Sequence, residues 1–394
     1  MPNELKFVSG NDAVAMGARL ARPHVISAYP ITPQTIVVER LADFVEDGSL
    51  KAEFLHVESE HSAMAAAMGV SSVGARAFTA TSSQGLLHMA ECVHYASGAR
   101  FPIVMMNANR SVAVPWSIYG DQRDSLGMLD SGWIQVYVED AQEALDMTIQ
   151  AYKIAEHQDV MTPFMVNLDG FVLTHTYEPI QLPDQEMVDD FLPPFETGNK
   201  MSFEEPKSLC FSTSPEDNQE FKYIQHRAMA KSIDIIREVD LEFGDKFGRY
   251  YHGMTEKYLC DDAEVALVTL GSVTGTARQV VDELRSEGHK VGLFKIRYMR
   301  PFPEEEVKEL GKMVGRIGVL EKNISFGYEG TVYTNVNSVF SGSDCQVQTK
   351  NYVGGFGGRD ISKDNIREMY MELLSSEELK GRVEFIGMGC DIHE

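Results

Sequence analysis

Short apolar segments alternate with longer amphipathic segments over about the first 175 residues of the chain. The apolar segments predict buried strands at residues 25–28, 54–57, 77–80, 102–106 and 160–168. Apolar residues at helical spacing predict helices at residues 10–20, 35–45, 60–74, 85–97 and 141–156. Strands that alternate with helices indicate an α/β unit with a parallel sheet and helices on both faces.

The composition changes after residue 178, where prolines, acidic residues and polar residues become frequent. This stretch predicts a long irregular connection, and its Phe and Leu residues indicate that it lies along a surface. A helical pattern follows at residues 220–243.

A second α/β pattern begins near residue 261. It predicts strands at residues 265–270, 291–296 and 317–320, with helices at residues 274–287 and 303–313. The expected organisation is therefore a first domain at 1–177, a linker with a helix at 178–258, and a second domain at 259–394.

The composition adds limits to this picture. Of 394 residues, 43% are hydrophobic, which predicts a globular protein rather than a disordered one. The net charge of −24 repels phosphate backbones and anionic lipids, so we expect neither nucleic acid nor a membrane as partner. No signal peptide or apolar run of about 18 residues is visible.

The cysteines are few and scattered. They form no C-x-x-C pair, and their positions are Cys92, Cys210, Cys260, Cys345 and Cys390. This spacing argues against a disulfide framework, a zinc site or an iron–sulfur loop within this chain. It fits the reducing cytoplasm, and we expect no metal ligands here.

Ligands of parallel sheets bind beyond the carboxyl ends of the strands, and polar residues follow several of the predicted strands. After residue 28, Thr32 lies between two prolines, where its hydroxyl either faces a ligand or caps the next helix. After residue 57 come Glu58 and Glu60. A carboxylate there either caps the helix or is a buried acid that protonates a heterocycle nitrogen, and His61 is more typical of an ordinary half-buried histidine.

Two further strand ends carry candidate residues. The loop at residues 79–85 has small hydroxylated residues whose backbone N–H groups could hold an anion, although many such loops look similar. Arg110 follows a very apolar strand and suits either a ligand carboxylate or a structural salt bridge. The aromatic, turn-rich segment at 115–121 is typical of a substrate-lining loop.

Three segments of the second unit are glycine-rich or otherwise distinctive. The turn at residues 270–275 lacks the spacing of a dinucleotide fingerprint. The segments at 296–303 and 353–359 suit an interface at least as well as a ligand site.

Taken in order, these segments resemble the alpha subunit of 2-oxoacid:ferredoxin oxidoreductases, with the pyruvate and branched-chain ketoacid types nearest. The segments that carry the resemblance include SGNDAVAMGARLARPHVISAYPITPQT, VESEHSAM, GARAFTATSSQGL, NRSVAVPWSIYGDQRDSL, RYMRPFP and GGFGGRD. They extend from about residue 8 to residue 360, so the resemblance covers most of the chain.

The resemblance implies a pyrimidine-binding domain of a thiamine-diphosphate enzyme followed by a transketolase C-terminal-like α/β domain. It implies a beta subunit that binds the diphosphate and Mg²⁺ and carries a 4Fe-4S cluster. Gamma and delta subunits, ferredoxin as electron acceptor and coenzyme A as co-substrate complete the expected system.

The resemblance also assigns residues. Glu60 matches the glutamate that hydrogen-bonds the aminopyrimidine nitrogen and so helps to form the nucleophilic carbon, with Glu58 as the rival by spacing. Thr32 matches a threonine that contacts substrate, and Arg110 matches the arginine that pairs with the 2-oxoacid carboxylate. Further cofactor contacts are expected from Ile31 and Ser83.

The implied reaction is the reversible oxidative decarboxylation of pyruvate to acetyl-CoA and CO₂, with electrons passed to ferredoxin. The alternatives are 3-methyl-2-oxobutanoate or an aryl 2-oxoacid as substrate. A different alternative is a non-catalytic structural subunit of such a complex.

Overall fold

The computed structural model of the chain describes residues 4–209, 211–342, 345–375, 378–379 and 381–389, so Cys210 and Cys390 lie outside the described residues. Within these ranges the chain forms fifteen strands: β1 (Glu4–Ser9), β2 (Val25–Ala28), β3 (Glu53–His56), β4 (Ala77–Thr81), β5 (Val104–Asn109), β6 (Ile134–Tyr137), β7 (Phe164–Asp169), β8 (Tyr177–Leu182), β9 (Thr255–Tyr258), β10 (Val265–Leu270), β11 (Val291–Ile296), β12 (Tyr298–Arg300), β13 (Arg316–Glu321), β14 (Gln348–Val353) and β15 (Val383–Phe385).

The same ranges contain fourteen α-helices, which surround the sheets. They are α1 (Gly10–Ala21), α2 (Thr35–Glu46), α3 (Glu60–Ser72), α4 (Gln84–His88), α5 (Ala90–Gly98), α6 (Arg123–Leu126), α7 (Ala141–Ala155), α8 (Val172–His175), α9 (Gln185–Phe191), α10 (Pro215–Phe247), α11 (Val273–Ser286), α12 (Glu304–Met313), α13 (Thr331–Phe340) and α14 (Lys363–Leu374).

The first sheet has seven strands in the spatial order β12-β6-β7-β5-β4-β2-β3. All neighbours are parallel except β12, which runs antiparallel to β6. The strands at its centre are buried along their whole length, as expected where helices cover both faces. The α/β fold class expected from the sequence is confirmed.

The second sheet has six strands in the order β15-β14-β13-β10-β11-β9. Only β9, which pairs with β11, is antiparallel to its neighbour among these described strands. Strands β10 and β11 have the predicted bounds, because each is a buried apolar segment closed by turn residues.

Each of the two sheets contains one strand from a part of the chain that was not assigned to it in the expected division. Strand β12 follows β11 in sequence but lies at the edge of the first sheet. Strand β9 lies within the stretch expected as linker but belongs to the second sheet. The division at residues 177 and 258 therefore stays a prediction, while the two sheets themselves are observed.

Three predicted elements differ from those observed. The helix expected at residues 85–97 is two helices, because the backbone of the buried Met89 leaves the helical region. The strand expected at 102–106 is β5, which begins after Pro102 and continues through two buried asparagines. The strand expected at 160–168 starts later, at Phe164 of β7. The chain turns before that point, since Met161 has a φ of 35° and the Thr162 hydroxyl donates to Val160 O.

The connection between the sheets is more ordered than its composition indicates. Strand β8 pairs with β1 in a separate two-stranded antiparallel sheet. Helix α10 is longer than predicted, since Ser214 caps its start, Pro215 occupies its first turn, and Gly248 ends it with a φ of 75°. Ile235, Val239 and Phe243 of α10 pack into the core of the first unit.

No helix in the described part of the chain is long and apolar enough to cross a membrane.

Candidate active site

Four loops meet at one edge of the first sheet. They follow the parallel strands β2, β3, β4 and β5, which lie side by side and therefore end at the same edge. These loops carry the residues expected from the sequence, namely Thr32, Glu60, Ser83 and Arg110. The topology thus gathers residues that are far apart in the chain.

Glu60 is the first residue of α3, and its side chain is buried. One carboxylate oxygen, Oε2, lies 3.2 Å from His88 Nδ1. A Cβ atom added at Gly85 would lie 2.8 Å from the other oxygen, Oε1, so the glycine leaves room for this carboxylate. Nearby, the buried hydroxyl of Thr81 has no hydrogen-bond partner among the described residues. The carboxylate therefore lies in a small polar pocket with unused hydrogen-bonding capacity.

The neighbouring acidic and histidine residues have other surroundings. Glu58 is exposed, and the hydrogen bond that it accepts from Ser62 Oγ at 2.5 Å lowers its pKa. The N-cap of α3 is Ser59, whose hydroxyl accepts from Ser62 N at 3.2 Å, so helix capping by Glu60 is wrong. His61 is half-buried and lies 3.4 Å from Cys92 Sγ. These positions favour Glu60 over Glu58 as the residue that meets a cofactor.

A side chain of α1 holds the turn that carries Thr32 and Ile31. Its Thr32–Pro33 peptide bond is cis, and Pro33 O accepts a hydrogen bond from Asn11 Nδ2 at 2.9 Å. The N-cap of α2 is Gln34 and no side chain caps that helix, so capping by Thr32 is wrong. Thr32 is exposed at the surface of the site, while Ile31 is half-buried.

Arg110 lies directly after β5, and only 5% of it is exposed. Nη1 donates to Thr32 O and Nη2 to Gln84 Oε1, both at 2.8 Å. The buried Nε has no hydrogen-bond partner in the part of the chain that the structure describes. Within the described ranges the guanidinium makes no ion pair, so the structural salt bridge is wrong. Burial lowers its pKa, although Asp124 and Glu60 oppose that effect. The site thus contains a buried cation whose charge no contacting carboxylate neutralises, which suits a carboxylate ligand.

Ser83 is buried and has a φ of 48°, an uncommon conformation for a residue other than glycine. Its backbone N–H donates to Asp124 Oδ2 at 3.0 Å, and its hydroxyl lies 2.8 Å from Ser111 O and 2.6 Å from Gln84 Oε1. One of the backbone N–H groups of the loop that was expected to hold an anion therefore bonds a carboxylate of the chain itself. Ser83 shapes the site through these contacts.

The segment after Arg110 forms one wall of a cleft of about 420 Å³ between the two units. The ring centroid of Trp116 lies 5.9 Å from the Arg110 guanidinium carbon, and Trp116 is 72% exposed. Phe326 and Phe356 line the opposite wall. The expectation of a substrate-lining loop at residues 115–121 thus corresponds to an aromatic cleft beside the buried cation.

Sequence reasoning missed two residues of the site, the half-buried Gln84 and the buried Asp124. Gln84 accepts from Arg110, and its own Nε2 is buried without a hydrogen-bond partner within the described ranges. Asp124 lies beneath the loops and accepts from backbone N–H groups of both Ser83 and Arg110. Both occur in segments that were noted for other reasons, but only the tertiary structure brings them beside the site.

The distinctive segments of the second unit contribute to the interface between units. Gly358 N donates to Gly120 O at 2.8 Å, and a Cβ at Gly358 would lie 2.4 Å from Tyr119 Cβ. Gly271 has a φ of 73° and approaches Asp169, whose Oδ2 would lie 2.8 Å from an added Cβ. Glycine is required at both positions because the two units approach closely there.

Comparison with known proteins gives matches over most of the chain. Residues 16–240 match the family model described as pyruvate flavodoxin/ferredoxin oxidoreductase, thiamine diphosphate-binding, and residues 263–366 match core domain II of pyruvate:ferredoxin oxidoreductase. The chain is 49% identical to pyruvate synthase subunit PorA of Methanothermobacter thermautotrophicus, over 98% of both chains. It is 44% identical to ketoisovalerate oxidoreductase subunit VorA of Pyrococcus abyssi, over 96% of this chain and 97% of the relative.

Solved structures share the fold. A 2-oxoglutarate:ferredoxin oxidoreductase from Magnetococcus marinus, solved with 2-oxoglutarate, coenzyme A and succinyl-CoA bound, matches with a TM-score of 0.75 and 21% identity, over 95% of this chain and 66% of that one. A split-gene transketolase matches with a TM-score of 0.52 and 13% identity, over 94% of this chain and 99% of that one. The family models and the curated relatives confirm the resemblance noted in the sequence: the chain belongs to the pyruvate:ferredoxin oxidoreductase family.

Proposed function

We propose that this chain is the alpha subunit of a pyruvate synthase, and that it activates thiamine diphosphate and binds the 2-oxoacid. The observation that carries the proposal is the buried Arg110 guanidinium, which among the described residues has no carboxylate in contact and an Nε without a hydrogen-bond partner. A buried cation of this kind is costly unless an anionic ligand compensates for it. The 2-oxoacid carboxylate has the charge and the planar shape that a guanidinium binds.

The residues around Glu60 fit thiamine diphosphate. The carboxylate is buried yet keeps unused acceptor capacity, and Gly85 provides the space beside it. When bound, thiamine diphosphate supplies the carbon nucleophile for cleavage of a 2-oxoacid. In the proposal, Glu60 hydrogen-bonds the pyrimidine nitrogen of the cofactor and holds the proton there, with Ile31 and Ser83 shaping the surrounding wall.

Arg110 and Thr32 orient the substrate in this proposal. Arg110 binds the carboxylate that later leaves as CO₂, and the Thr32 hydroxyl contacts the substrate near the keto group. Trp116 lies over the guanidinium and limits access of water to it. The division of tasks leaves the covalent chemistry to the cofactor, while this chain supplies orientation and charge.

The substrate that we propose is pyruvate. The curated relatives named pyruvate synthase subunits include matches at 49% and 47% identity. The second candidate is 3-methyl-2-oxobutanoate, since relatives named ketoisovalerate oxidoreductase subunits match at 43–46% identity. Neither Arg110 nor Thr32 distinguishes the two, because both would contact the part of the molecule that all 2-oxoacids share.

The proposed partners complete the site. A beta subunit would bind the diphosphate with Mg²⁺ and carry a 4Fe-4S cluster, with gamma and delta subunits, ferredoxin and coenzyme A as further components. Exposed apolar side chains around the site support a covering partner: Val114 is 85% exposed and Phe326 80%. The cytoplasm is the proposed location, in agreement with the buried thiols of Cys92 and Cys260.

The test measures ferredoxin reduction by the purified complex with pyruvate, 3-methyl-2-oxobutanoate, 2-oxoglutarate and phenylglyoxylate. We expect the highest kcat/KM with pyruvate. Arg110→Ala should lower kcat/KM about 100-fold or more for every substrate that the enzyme uses, because the carboxylate loses its partner. The matched control is Arg22→Ala, which removes an exposed ion pair with Asp189 and should leave kcat/KM unchanged.

Two outcomes would change the proposal. A higher kcat/KM with 3-methyl-2-oxobutanoate than with pyruvate would favour the second substrate. If Arg110→Ala and Arg22→Ala both retained wild-type values with every 2-oxoacid, the chain would be a structural subunit rather than a catalytic one.

A further inference from the structure

A fully buried carboxylate lies beneath the candidate site. Asp124, in the short helix α6, has no exposed surface. Its two oxygens accept five hydrogen bonds of 2.7–3.3 Å, from Asn109 Nδ2 and Ser125 N at Oδ1, and from Ser83 N, Arg110 N and Asn107 Nδ2 at Oδ2. A carboxylate with this many donors is held in one orientation.

Three of these donors are backbone N–H groups, and two of the three, Ser83 N and Arg110 N, belong to separate loops. Ser83 belongs to the loop after β4, and Arg110 directly follows β5. Asp124 Oδ2 lies 3.0 Å from Ser83 N and 3.2 Å from Arg110 N, so one oxygen atom joins the two loops. The link also maintains the unusual backbone of Ser83, whose φ is 48°.

The same link acts on both ends of the Arg110 side chain. The backbone of Arg110 is fixed directly by Asp124. Its guanidinium donates to Oε1 of Gln84, the residue that follows Ser83, so the acceptor is also fixed through the Ser83 turn. A change at Asp124 would therefore move the guanidinium relative to Glu60 even though Asp124 touches neither head group.

We propose that Asp124 is a positioning residue of the reaction, which sets the place of the Arg110 guanidinium by holding the Arg110 and Ser83 backbones together. This inference deepens the proposed function and rests on the role of Arg110 proposed there. Burial raises the pKa of Asp124 to about 6, while the donors from Asn109, Ser83, Ser125 and Arg110 lower it. The carboxylate is thus ionised above pH 7 and accepts at both oxygens.

The experiment uses Asp124→Asn in the assembled oxidoreductase. The amide keeps one acceptor oxygen, and in either orientation its NH₂ group faces N–H donors, which are Ser83 N and Arg110 N at one position or Asn109 Nδ2 and Ser125 N at the other. In both cases the set of bonds that holds Asp124 between the two loops is broken on one side. We expect the KM for the 2-oxoacid to rise about 10-fold or more, with a smaller effect on kcat at saturating substrate.

The matched control is Asp146→Asn. Asp146 is also fully buried, on α7, and accepts from Arg249 and from Tyr251 Oη at 2.6 Å, away from the site. This variant should lower the unfolding temperature and leave KM within about twofold of the wild type. A general loss of packing would raise KM in both variants alike, and that result would overturn the inference.

A double variant separates positioning from other effects. If Asp124 acts through Arg110, adding Asp124→Asn to Arg110→Ala should raise KM less than about twofold further, because there is no guanidinium left to position. A further 10-fold rise in the double variant would contradict the inference. If Asp124→Asn does not assemble, Asn109→Ala removes one donor to Asp124, and we expect a two- to fivefold rise in KM; an unchanged KM would then contradict the inference.

Failure of the inference and failure of the proposed function give different results. An Arg110→Ala variant with wild-type KM would refute the proposed role of Arg110, and the inference about Asp124 with it. A large rise in KM for Arg110→Ala together with a wild-type KM for Asp124→Asn would refute the inference alone.

Discussion

Arg297 and Glu143 form a buried ion pair that joins the two α/β units. Arg297 Nε lies 2.5 Å from Glu143 Oε1, and the two side chains are 1% and 2% exposed. Lys295, on β11, lies 2.7 Å from the other oxygen of the same carboxylate. Both cations lower the pKa of Glu143 to about 2, although burial opposes them. Since Glu143 belongs to α7 and both cations follow residue 258, this cluster fixes the second unit on the first.

Removal of that carboxylate should strongly destabilise the protein. Glu143→Ala would leave two buried cations without their main counter-ion, at a cost of about 3–5 kcal/mol in the free energy of unfolding. Urea unfolding of the full chain, followed by circular dichroism, measures this. The control, Glu283→Ala, breaks an ion pair with Lys363 in which both side chains are about half exposed, and should cost at most about 1 kcal/mol. Equal midpoints for the two variants would contradict the role given to Glu143.

The two acidic residues before α3 should differ sharply in activity. Glu60→Gln removes the charge of the buried carboxylate and should lower turnover of the complex about 100-fold or more. Glu58→Gln alters an exposed carboxylate and should leave turnover within about twofold. Steady-state ferredoxin reduction at saturating 2-oxoacid and thiamine diphosphate measures both. A large loss in the Glu58 variant with near-normal Glu60 variant activity would reverse the assignment.

A single methyl group should disturb the Glu60 pocket. In Gly85→Ala the new Cβ would lie 2.5 Å from Thr81 Oγ1 and 2.8 Å from Glu60 Oε1, so the carboxylate must move. We expect weaker binding of thiamine diphosphate and at least about 10-fold lower turnover, as measured by cofactor titration of the complex. Gly98→Ala is the matched control, because its Cβ would meet nothing within 4 Å. Wild-type affinity in the Gly85 variant would show that the pocket tolerates the shift.

The stability of the second unit should depend on pH through Glu321. Burial raises the pKa of this carboxyl from 4.5 to about 7, and the neighbouring Glu329 adds to the rise. The folded chain therefore retains a proton that the unfolded chain releases between pH 4.5 and 7, so this residue makes stability fall as pH rises through that window. The effect amounts to about 3 kcal/mol.

Glu321→Gln should remove that decline. The free energy of unfolding of the variant, relative to that of the wild type, should therefore increase as the pH rises from 4.5 to 7.5. Glu238→Gln, at an exposed position of α10, is the control and should show a constant difference. A constant difference for Glu321→Gln as well would mean that its carboxyl titrates normally.

Much of the fold could be predicted because local signals were strong. Strand β2, like β10 and β11, is a short apolar segment closed by turn residues, and its bounds are those expected. Strand β6 was missed because Gln135 interrupts its apolar pattern, although this side chain is buried and bonds Met128 O. Strand β12 could not be found by such signals, since it is three residues long and its partner lies far away in the chain.

The residues of the candidate site also divide into those that the sequence indicates and those that only the tertiary structure shows. Glu60, Thr32 and Arg110 follow predicted strands, so the rule that ligands bind at strand ends was sufficient to make them candidates, although Glu58 remained a rival of Glu60 by spacing. Gln84 and Asp124 act through hydrogen bonds to residues on other loops, and no spacing in the sequence indicates such contacts. The sequence pattern alone also left helix capping by Thr32 and a structural salt bridge of Arg110 open. The structure excludes the first because Gln34 is the N-cap of α2, and the second because the Arg110 guanidinium donates to Thr32 O and Gln84 Oε1.

Strand β12 has a consequence for the synthesis of the chain. It covers β6, whose buried residues would otherwise end the first sheet with unpaired backbone groups. A fragment that ends at residue 258 would expose this edge to pairing with other chains and should aggregate. During translation, β12 is synthesised only after β9, β10 and β11. The outer edge of strand β6 in the nascent amino-terminal unit therefore stays unpaired until this segment of the second unit has been made.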